Sequence, residues 1–204
     1  MTDTISKGLD PLHSASQEFV WRVVRRLLPQ KGPARVLDLG CGPGIQARAI
    51  MQMGFEVVGA DVSAEAVEMA RRAVPKGKFY VASVYDLPWT ELDQRFDFVL
   101  ALEVIEHLYY PRRLIKAASR CLRPGGTFIM STPYHGYAKN LAISILNIWD
   151  DHFNIFDDGW HIKFFSPRTL RRLVEEENFV DIRFIYSGRL PFFWKSMACS
   201  AKKP

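Results

Sequence analysis

The stretch Val36-Leu37-Asp38-Leu39-Gly40-Cys41-Gly42-Pro43-Gly44 decides the fold, because an apolar run ends there in a Gly-x-Gly-x-Gly turn. An apolar run, a glycine turn and then helical spacing predict a first strand, a tight turn and a helix. The glycines allow φ values that side chains disfavour and let a ligand lie against bare backbone. Asp61 follows a second predicted strand, 56–60, where a carboxylate can bind both hydroxyls of a ribose. These elements predict a site for a nucleoside-containing cofactor.

The residues around the turn distinguish between nucleoside cofactors. A dinucleotide site prefers glycine at the sixth position of the motif, where this chain has the bulky Ile45. Pro43 removes an N–H group that a pyrophosphate would need. Asp38 would repel a phosphate but would attract an ammonium or sulfonium group. The pattern therefore predicts S-adenosylmethionine, which has a ribose, no phosphate and a cationic amino-acid tail.

Residues 36–131 resemble the class I S-adenosylmethionine-dependent methyltransferases. Beyond the glycine turn, the resemblance rests on the ribose-binding acid in 59–63, the adenine-flanking segment 79–89, the fourth motif at 96–108 and the fifth strand at 122–130. The Glu-Val-Ile-Glu-His form of the fourth motif is most similar to the ubiquinone-biosynthesis O-methyltransferases and their small-molecule relatives. One departure is Ser83, which stands where the family often has an acid that contacts the adenine amino group.

The motif and the resemblance together imply a cofactor site whose residues follow the ends of successive strands. We expect cofactor contacts from Asp38, Gly40, Cys41, Gly42, Asp61, Val62, Ser83, Val84 and Leu102. Ligands of open parallel sheets bind outside the carboxyl ends of the strands, so the fold would collect these residues in one cleft.

Strand and helix patterns alternate along most of the chain. Strands are predicted at 35–39, 56–60, 78–82, 96–101, 126–132, 179–186 and 193–200, and helices at 44–53, 64–73, 111–122 and 167–177. A capping box at 14–17 predicts a further helix, which would run through Leu28. The alternation predicts an α/β, Rossmann-like, doubly wound sheet, mostly parallel. The resemblance adds an antiparallel C-terminal edge pair, and the length favours a single domain over 1–204.

The segment after the fifth strand, 134–165, is rich in aromatic residues and histidines. Such a long excursion predicts a helical lid that forms the acceptor pocket, since pockets of this kind are lined by aromatic side chains. A helix packed on the core is the alternative for the same pattern. A third possibility is contact with a membrane surface through 137–149, which has helical apolar spacing.

Composition restricts the class of protein. A chain of 204 residues with 48% hydrophobic content can bury a full core. The three cysteines, Cys41, Cys121 and Cys199, are odd in number and far apart, which favours a reducing compartment. Residues 1–7 are polar, and the longest apolar stretch, 141–149, is too short for a bilayer, so we expect a cytoplasmic protein. The net charge is +5, and the arginine pairs lie within helical patterns, as is typical of solvated helix faces. This pattern argues against nucleic acid as a partner.

The catalytic candidates are His107, His135, His152 and His161, and among them we favour His107 and His161. His107 follows the fourth strand beside Glu103 and Glu106, and His161 can return to it from the lid. A high-pKa oxygen acceptor needs a base or a metal to remove its proton, and we expect the base without a metal. The function predicted is methyl transfer from S-adenosylmethionine to a small molecule, most simply to a hydroxyl. The alternatives are a metal-dependent RNA ribose 2′-O-methyltransferase, whose metal site the Glu-x-x-Glu-His pattern also resembles, and a non-enzymatic nucleoside-binding protein.

Overall fold

A seven-stranded sheet runs through the protein, and the computed structural model describes residues 15–28, 33–153, 156, 161–188 and 190–204. Several strands are continuous apolar runs, as expected where helices cover both faces of a parallel sheet. The strands are β1 (Arg35–Leu39), β2 (Glu56–Asp61), β3 (Lys78–Val81), β4 (Phe96–Leu102), β5 (Leu122–Pro133), β6 (Val180–Ser187) and β7 (Ser196–Lys202).

The strand order is β3-β2-β1-β4-β5-β7-β6. The first five strands are mutually parallel, and β7 pairs antiparallel with both β5 and β6. The order reverses between β1 and β4, so a crevice opens beyond the carboxyl ends of these two strands. The predicted fold class, a mostly parallel Rossmann-like sheet with an antiparallel C-terminal edge pair, is confirmed.

Helices cover both faces of the sheet. They are α1 (Ala15–Leu27), α2 (Ile45–Gln52), α3 (Ala64–Ala73), α4 (Trp89–Leu92), α5 (Pro111–Cys121), α6 (Tyr137–Ile145), α7 (Trp149–His152) and α8 (Pro167–Glu176). Buried side chains of α1, α2 and α3 share one apolar cluster, and those of α4, α5 and α8 share another. The two clusters are the cores on the opposite faces, which the doubly wound prediction requires.

The structure interrupts the helix that apolar spacing predicts over 137–149. Asn147 adopts a left-handed φ of 51°, which ends α6 before α7 begins at Trp149. At the other end of the chain, α1 begins at Ala15, and Ser14 of the predicted capping box lies outside the described residues. Among the described helices, none has the length and apolar content needed to cross a bilayer.

The packing between β5 and the C-terminal part of the chain gives a test of the core. Phe128 is 1% exposed and its ring centroid lies 5.9 Å from that of Phe179. Replacing Phe128 with alanine should lower the free energy of unfolding by about 3–5 kcal/mol, because the cavity adds to the lost apolar burial. Phe193, which is 48% exposed, is the matched control, and Phe193→Ala should change stability by only about 0.5 kcal/mol. Equal losses in urea unfolding would contradict this account of the core.

Candidate active site

The glycine turn after β1 packs closely against the end of β4 and against α3. Gly40 has a φ of 77°, and a Cβ atom built on it would lie 2.4 Å from Cγ2 of Val104, just after β4. Gly44 has a φ of 80°, and its Cβ would lie 2.9 Å from Cβ of Ala70 in α3. A side chain at either position would therefore clash as well as strain the backbone. The third glycine packs against α3, and the bulky Ile45 simply begins α2.

Asp61, at the end of β2, is held in place by two backbone groups. Its Oδ2 accepts a hydrogen bond from the N–H of Gly42 at 2.9 Å, and its Oδ1 accepts one from the N–H of Ser63 at 2.9 Å. The Ser63 side chain in turn caps α3 by accepting from the N–H of Ala66. Each carboxylate oxygen keeps a further lone pair, so Asp61 can accept two more hydrogen bonds in a fixed direction.

Asp38 is a buried acid beneath the turn. It is 2% exposed, and its Oδ2 has no hydrogen-bond partner among the described residues. Burial raises the pKa of Asp38 to about 7, and the negative charge of Asp61 adds to this shift. A buried carboxylate without a partner is costly, so a cationic group bound next to it would be strongly favoured.

A cavity of about 390 Å³ lies at the carboxyl ends of the strands. Five predicted cofactor residues line it: Gly40, Asp61, Val62, Ser83 and Val84. Of the other four, Asp38 and Gly42 are tied to Asp61 by charge and by hydrogen bond. Cys41 is buried and packs against Gly59 of β2, and Leu102 packs against the apolar cluster of α1, α2 and α3. The structure thus brings most of the predicted set to one cleft and directs Cys41 and Leu102 into the core.

An aromatic wall of the cavity was not singled out from the sequence. Tyr85 and Tyr109 line the cavity, and the ring of Tyr85 lies edge-on to that of Tyr110 at 6.0 Å. The Tyr85 hydroxyl also accepts a hydrogen bond from the backbone N–H of Tyr110. The sequence could have indicated Tyr85, because it lies in the adenine-flanking segment 79–89. Only the fold shows that residues 109–110 pack against Tyr85.

Glu103 stands at the end of β4 in a strained conformation. Its φ is 56°, which is uncommon for a residue other than glycine and is typical of functional sites. The Ser131 hydroxyl donates a 2.7 Å hydrogen bond to Oε1 of Glu103, and the N–H of Glu103 donates to the carbonyl of Ser131. Burial raises the pKa of Glu103, while the Ser131 bond and the positive charge that His107 can carry oppose this.

The candidate catalytic histidines meet beside Glu106. The ring centroids of His107 and His161 lie 4.9 Å apart, and Nε2 of His161 lies 3.9 Å from Oε1 of Glu106. The chain is directed there by the carbonyl of Glu106, which accepts the N–H groups of both Ile162 and Lys163. The structure therefore brings His161 to His107.

Burial sets the protonation of this group. Glu106 is fully buried, and desolvation, reinforced by the charge of Glu103, raises its pKa to about 8. Desolvation, followed by the charge on His107, lowers the pKa of His161 to about 4. Both shifts favour the neutral forms of Glu106 and His161.

The same three residues satisfy the requirements of a cation site. One potential ligand atom from each of Glu106, His107 and His161 lies within 4.8 Å of the others. Both carboxylate oxygens of Glu106 lack a hydrogen-bond partner among the described residues. A carboxylate and two imidazoles form a donor set that suits several divalent ions, so these residues fit a metal.

Comparison with known proteins identifies the family. A family model described as a methyltransferase domain matches residues 12–183, and the chain therefore belongs to this family. Together with the fold, this match makes it a member of the class I S-adenosylmethionine-dependent methyltransferases, whose cofactor suits the cleft.

Curated relatives match part of the chain. Ubiquinone biosynthesis O-methyltransferases of Xanthomonas campestris pv. campestris (strain B100) and Xanthomonas axonopodis pv. citri are 36% identical to it over 127 and 126 residues. The matched region is 60% of this chain and 52% of each relative. The chain thus spans about half the length of the curated relatives it matches.

Solved structures share the fold. An S-adenosylmethionine-dependent methyltransferase of Archaeoglobus fulgidus has a TM-score of 0.69 at 20% identity, covering 91% of this chain and 94% of its own. The phosphoethanolamine N-methyltransferase 2 of Haemonchus contortus, in complex with S-adenosyl-L-methionine, has a TM-score of 0.70 at 16% identity. That match covers 92% of this chain and 52% of the other.

The raised pKa of Asp38 predicts that cofactor affinity depends on pH. Below about pH 7 the free protein holds Asp38 protonated, and binding the ammonium group of S-adenosylmethionine must release that proton. The dissociation constant should therefore rise by up to about tenfold for each pH unit below 7, and titration calorimetry should record proton release. Asp38→Asn should bind weakly at every pH without this dependence. A dissociation constant of the wild type that does not change with pH would disprove the contact.

The fixed carboxylate of Asp61 predicts a large loss of cofactor affinity on its removal. Two charge-assisted hydrogen bonds to ribose hydroxyls, at about 1.5–3 kcal/mol each, would be lost in Asp61→Ala. The dissociation constant for S-adenosylmethionine should rise at least about a hundredfold in calorimetry. Glu65→Ala removes an exposed acid from α3 outside the cavity lining and should leave affinity unchanged. Equal affinity of Asp61→Ala and wild type would discard the ribose assignment.

Proposed function

We propose that this protein transfers a methyl group from S-adenosylmethionine to a hydroxyl group of a small-molecule acceptor. The observation that carries the proposal is the position of His107, which lines the cofactor cavity and meets His161 and Glu106 at its edge. A candidate base therefore adjoins the place where the cofactor would lie. The relatives named as ubiquinone biosynthesis O-methyltransferases support an oxygen acceptor.

Methyl transfer from a sulfonium depends mainly on the alignment of the acceptor oxygen with the methyl group. The acceptor oxygen attacks the methyl carbon in line with the breaking carbon–sulfur bond, whose electron pair stays on the sulfur. Since the sulfonium is already a good leaving group, positioning lowers most of the barrier. The acceptor proton moves to His107, and the carboxylate of Glu103, whose pKa responds to the charge on His107, favours the imidazolium that forms.

Residues of the segment 134–165 would supply the acceptor pocket. The segment returns to its own start, because Tyr134 bridges to Phe165 and the N–H of His135 donates to the carbonyl of Phe165. Phe153 and Phe164 pack with their ring centroids 4.5 Å apart inside this loop. We infer an acceptor-binding lid, whose exposed apolar side chains, among them Tyr137 and Ile145, would suit an apolar part of the acceptor or a membrane surface.

A metal-dependent ribose 2′-O-methyltransferase of RNA is the second candidate, favoured by the clustering of Glu106, His107 and His161. These three residues would hold the ion. A divalent cation there would lower the pKa of a bound hydroxyl. The proton on Glu106 would have to leave first, so metal affinity would rise as the pH approaches 8.

The basic helix faces argue against the RNA acceptor. Arg112 forms a 2.6 Å ion pair with Glu176, and Arg172 lies 3.7 Å from the same carboxylate. Arg171 lies 3.8 Å from Glu175. Paired arginines of this kind support the interpretation as solvated helix faces, and we therefore favour a small-molecule acceptor. Non-enzymatic nucleoside binding would leave the group around His107 without a role.

Replacing His107 distinguishes the general-base mechanism from the metal-dependent mechanism. If His107 is the general base, His107→Ala should lower turnover by roughly 10²–10⁴ while cofactor binding survives. Turnover is measured as release of S-adenosylhomocysteine with catechol as the probe acceptor. Excess EDTA should then have no effect on the wild type.

The metal alternative predicts a different pattern in the same assay. Glu106→Gln and His161→Ala should fail together with His107→Ala, and EDTA should abolish turnover until Mg²⁺ or Mn²⁺ is restored. Near-full activity of His107→Ala would contradict both versions and leave positioning alone as the mechanism. Lys76→Ala, which changes an exposed residue outside the cavity lining, serves as the control variant.

A further inference from the structure

A second group of basic side chains lies beyond His161, and the proposed mechanism does not use it. The basic cluster consists of Lys139 in α6, Lys195 before β7, His135 and His152. Lys139 and Lys195 are tied to the same residue, Tyr134. The Lys139 ammonium donates a 2.9 Å hydrogen bond to the carbonyl of Tyr134, and the N–H of Tyr134 donates to the carbonyl of Lys195 at 3.1 Å.

The positive charge of Lys195 acts on Lys139. Burial lowers the pKa of Lys139 to about 8, and the positive charge of Lys195 contributes to this shift. Lys139 also occupies the first turn of α6, where the helix dipole disfavours a cation, and no acidic residue shares that turn. Within the described part of the chain, no carboxylate lies within ion-pair distance of either ammonium group; Glu103 influences Lys195 only through space.

Two imidazoles, His135 and His152, lie beside Lys139, with their ring centroids 5.7 Å apart. Desolvation, followed by the charge of Lys139, lowers the pKa of His135 to about 4 and also lowers that of His152. The His135 ring stacks at 19° on Phe153, with the centroids 5.8 Å apart, and lies 4.9 Å from Phe164. The cluster therefore combines concentrated positive charge with a flat aromatic wall.

The basic cluster adjoins the candidate catalytic group. The backbone of 161–165 connects them: the carbonyl of Phe165 accepts the N–H of His135, and His161, four residues earlier, lies with its ring centroid 4.9 Å from that of His107. On the other side, Lys195 acts electrostatically on Glu103, which lines the cofactor cavity. A molecule with its hydroxyl at His107 would thus have its remaining part directed toward the lysines.

We propose that the basic cluster binds an anionic group, a carboxylate or a phosphate, carried by the methyl acceptor. The inference rests on the proposed function for the identity of the bound molecule, and on the clustered charges for its sign. An anion between Lys139 and Lys195 would relieve their repulsion and complement the first turn of α6. A neutral acceptor would leave the half-buried Lys139 and the exposed Lys195 without a carboxylate partner among the described residues. Aromatic acids and aryl phosphates fit the adjacent wall of Phe153 and Phe164.

Binding of small probes tests the charge preference directly. Benzoate and phenyl phosphate are titrated by calorimetry into the full chain saturated with S-adenosylhomocysteine, in a buffer without phosphate or sulfate. Neutral benzamide is the isosteric comparison. Both anions should bind at least about tenfold more tightly than benzamide.

Variants locate the binding. Lys139→Gln and Lys195→Gln should each weaken benzoate by about tenfold or more, and Lys76→Gln, an exposed lysine outside both the cluster and the cavity lining, should leave it unchanged. Saturating benzoate should also raise the pKa of His152 in an NMR titration, since an added negative charge favours the imidazolium. A lysine with a merely structural role would not produce that shift.

The outcomes of the benzoate experiments can be distinguished from those of the methyl-transfer assay that tests the proposed function. Equal binding of benzoate and benzamide, or benzoate binding that survives both lysine variants, would overturn the anion subsite. Absence of benzoate binding up to millimolar concentration would overturn it as well. Failure of methyl transfer to every acceptor would instead remove the proposed function, while the charge preference measured by calorimetry would stand.

Discussion

The close approach of Gly40 to Val104 is the constraint on which the rest of the site depends. A Cβ at position 40 would lie 2.4 Å from the Val104 side chain, so the ends of β1 and β4 can meet there only without one. This contact joins β1 to β4 at the place where the strand order of the sheet reverses. On one side β1 and β2 present Asp38 and Asp61, and on the other β4 presents Glu103 and the start of the segment that contains His107. A looser turn would separate the cofactor cavity from the candidate base.

Charge is divided along the cleft. Burial raises the pKa values of three acids, Asp38, Glu103 and Glu106. Asp38 lies at the end that would hold a cationic cofactor, whereas Glu103 and Glu106 lie beside His107, between that end and the proposed acceptor site. The basic cluster around Lys139 lies at the other end, and there burial lowers the pKa of the lysine and of His135. Both sets are destabilised by desolvation in the free protein. Each would be stabilised by a ligand of opposite charge, so binding energy can be directed into alignment of the two reactants.

The sheet could be predicted from the sequence because the signals that specify its strands and turns each act within a few residues. Continuous apolar strands, a glycine turn and a serine cap before α3 each act within a few residues, and the structure confirms them at β1, β2 and α3. The predicted helix at 137–149 was wrong at Asn147, because apolar periodicity carries no information on a single left-handed residue. The last strand begins at Ser196 rather than 193, since its extent follows pairing with β5 and β6 rather than propensity.

The sequence by itself determined the cofactor end of this protein: the turn at Gly40, the acid at Asp61 and the buried acid at Asp38 all belong to one contiguous strand–turn–helix–strand unit. Only the tertiary structure decided the end where we propose that the acceptor binds. His161 reaches His107 because the backbone of 162–163 bonds to the Glu106 carbonyl, and both the Lys139 ammonium and the Lys195 carbonyl bond to the backbone of Tyr134. The tertiary structure also buries Cys41 and packs the partly buried Leu102 against the core. The physical reason is that these contacts join residues far apart in the chain, and their burial, charge and direction exist only once the sheet is assembled.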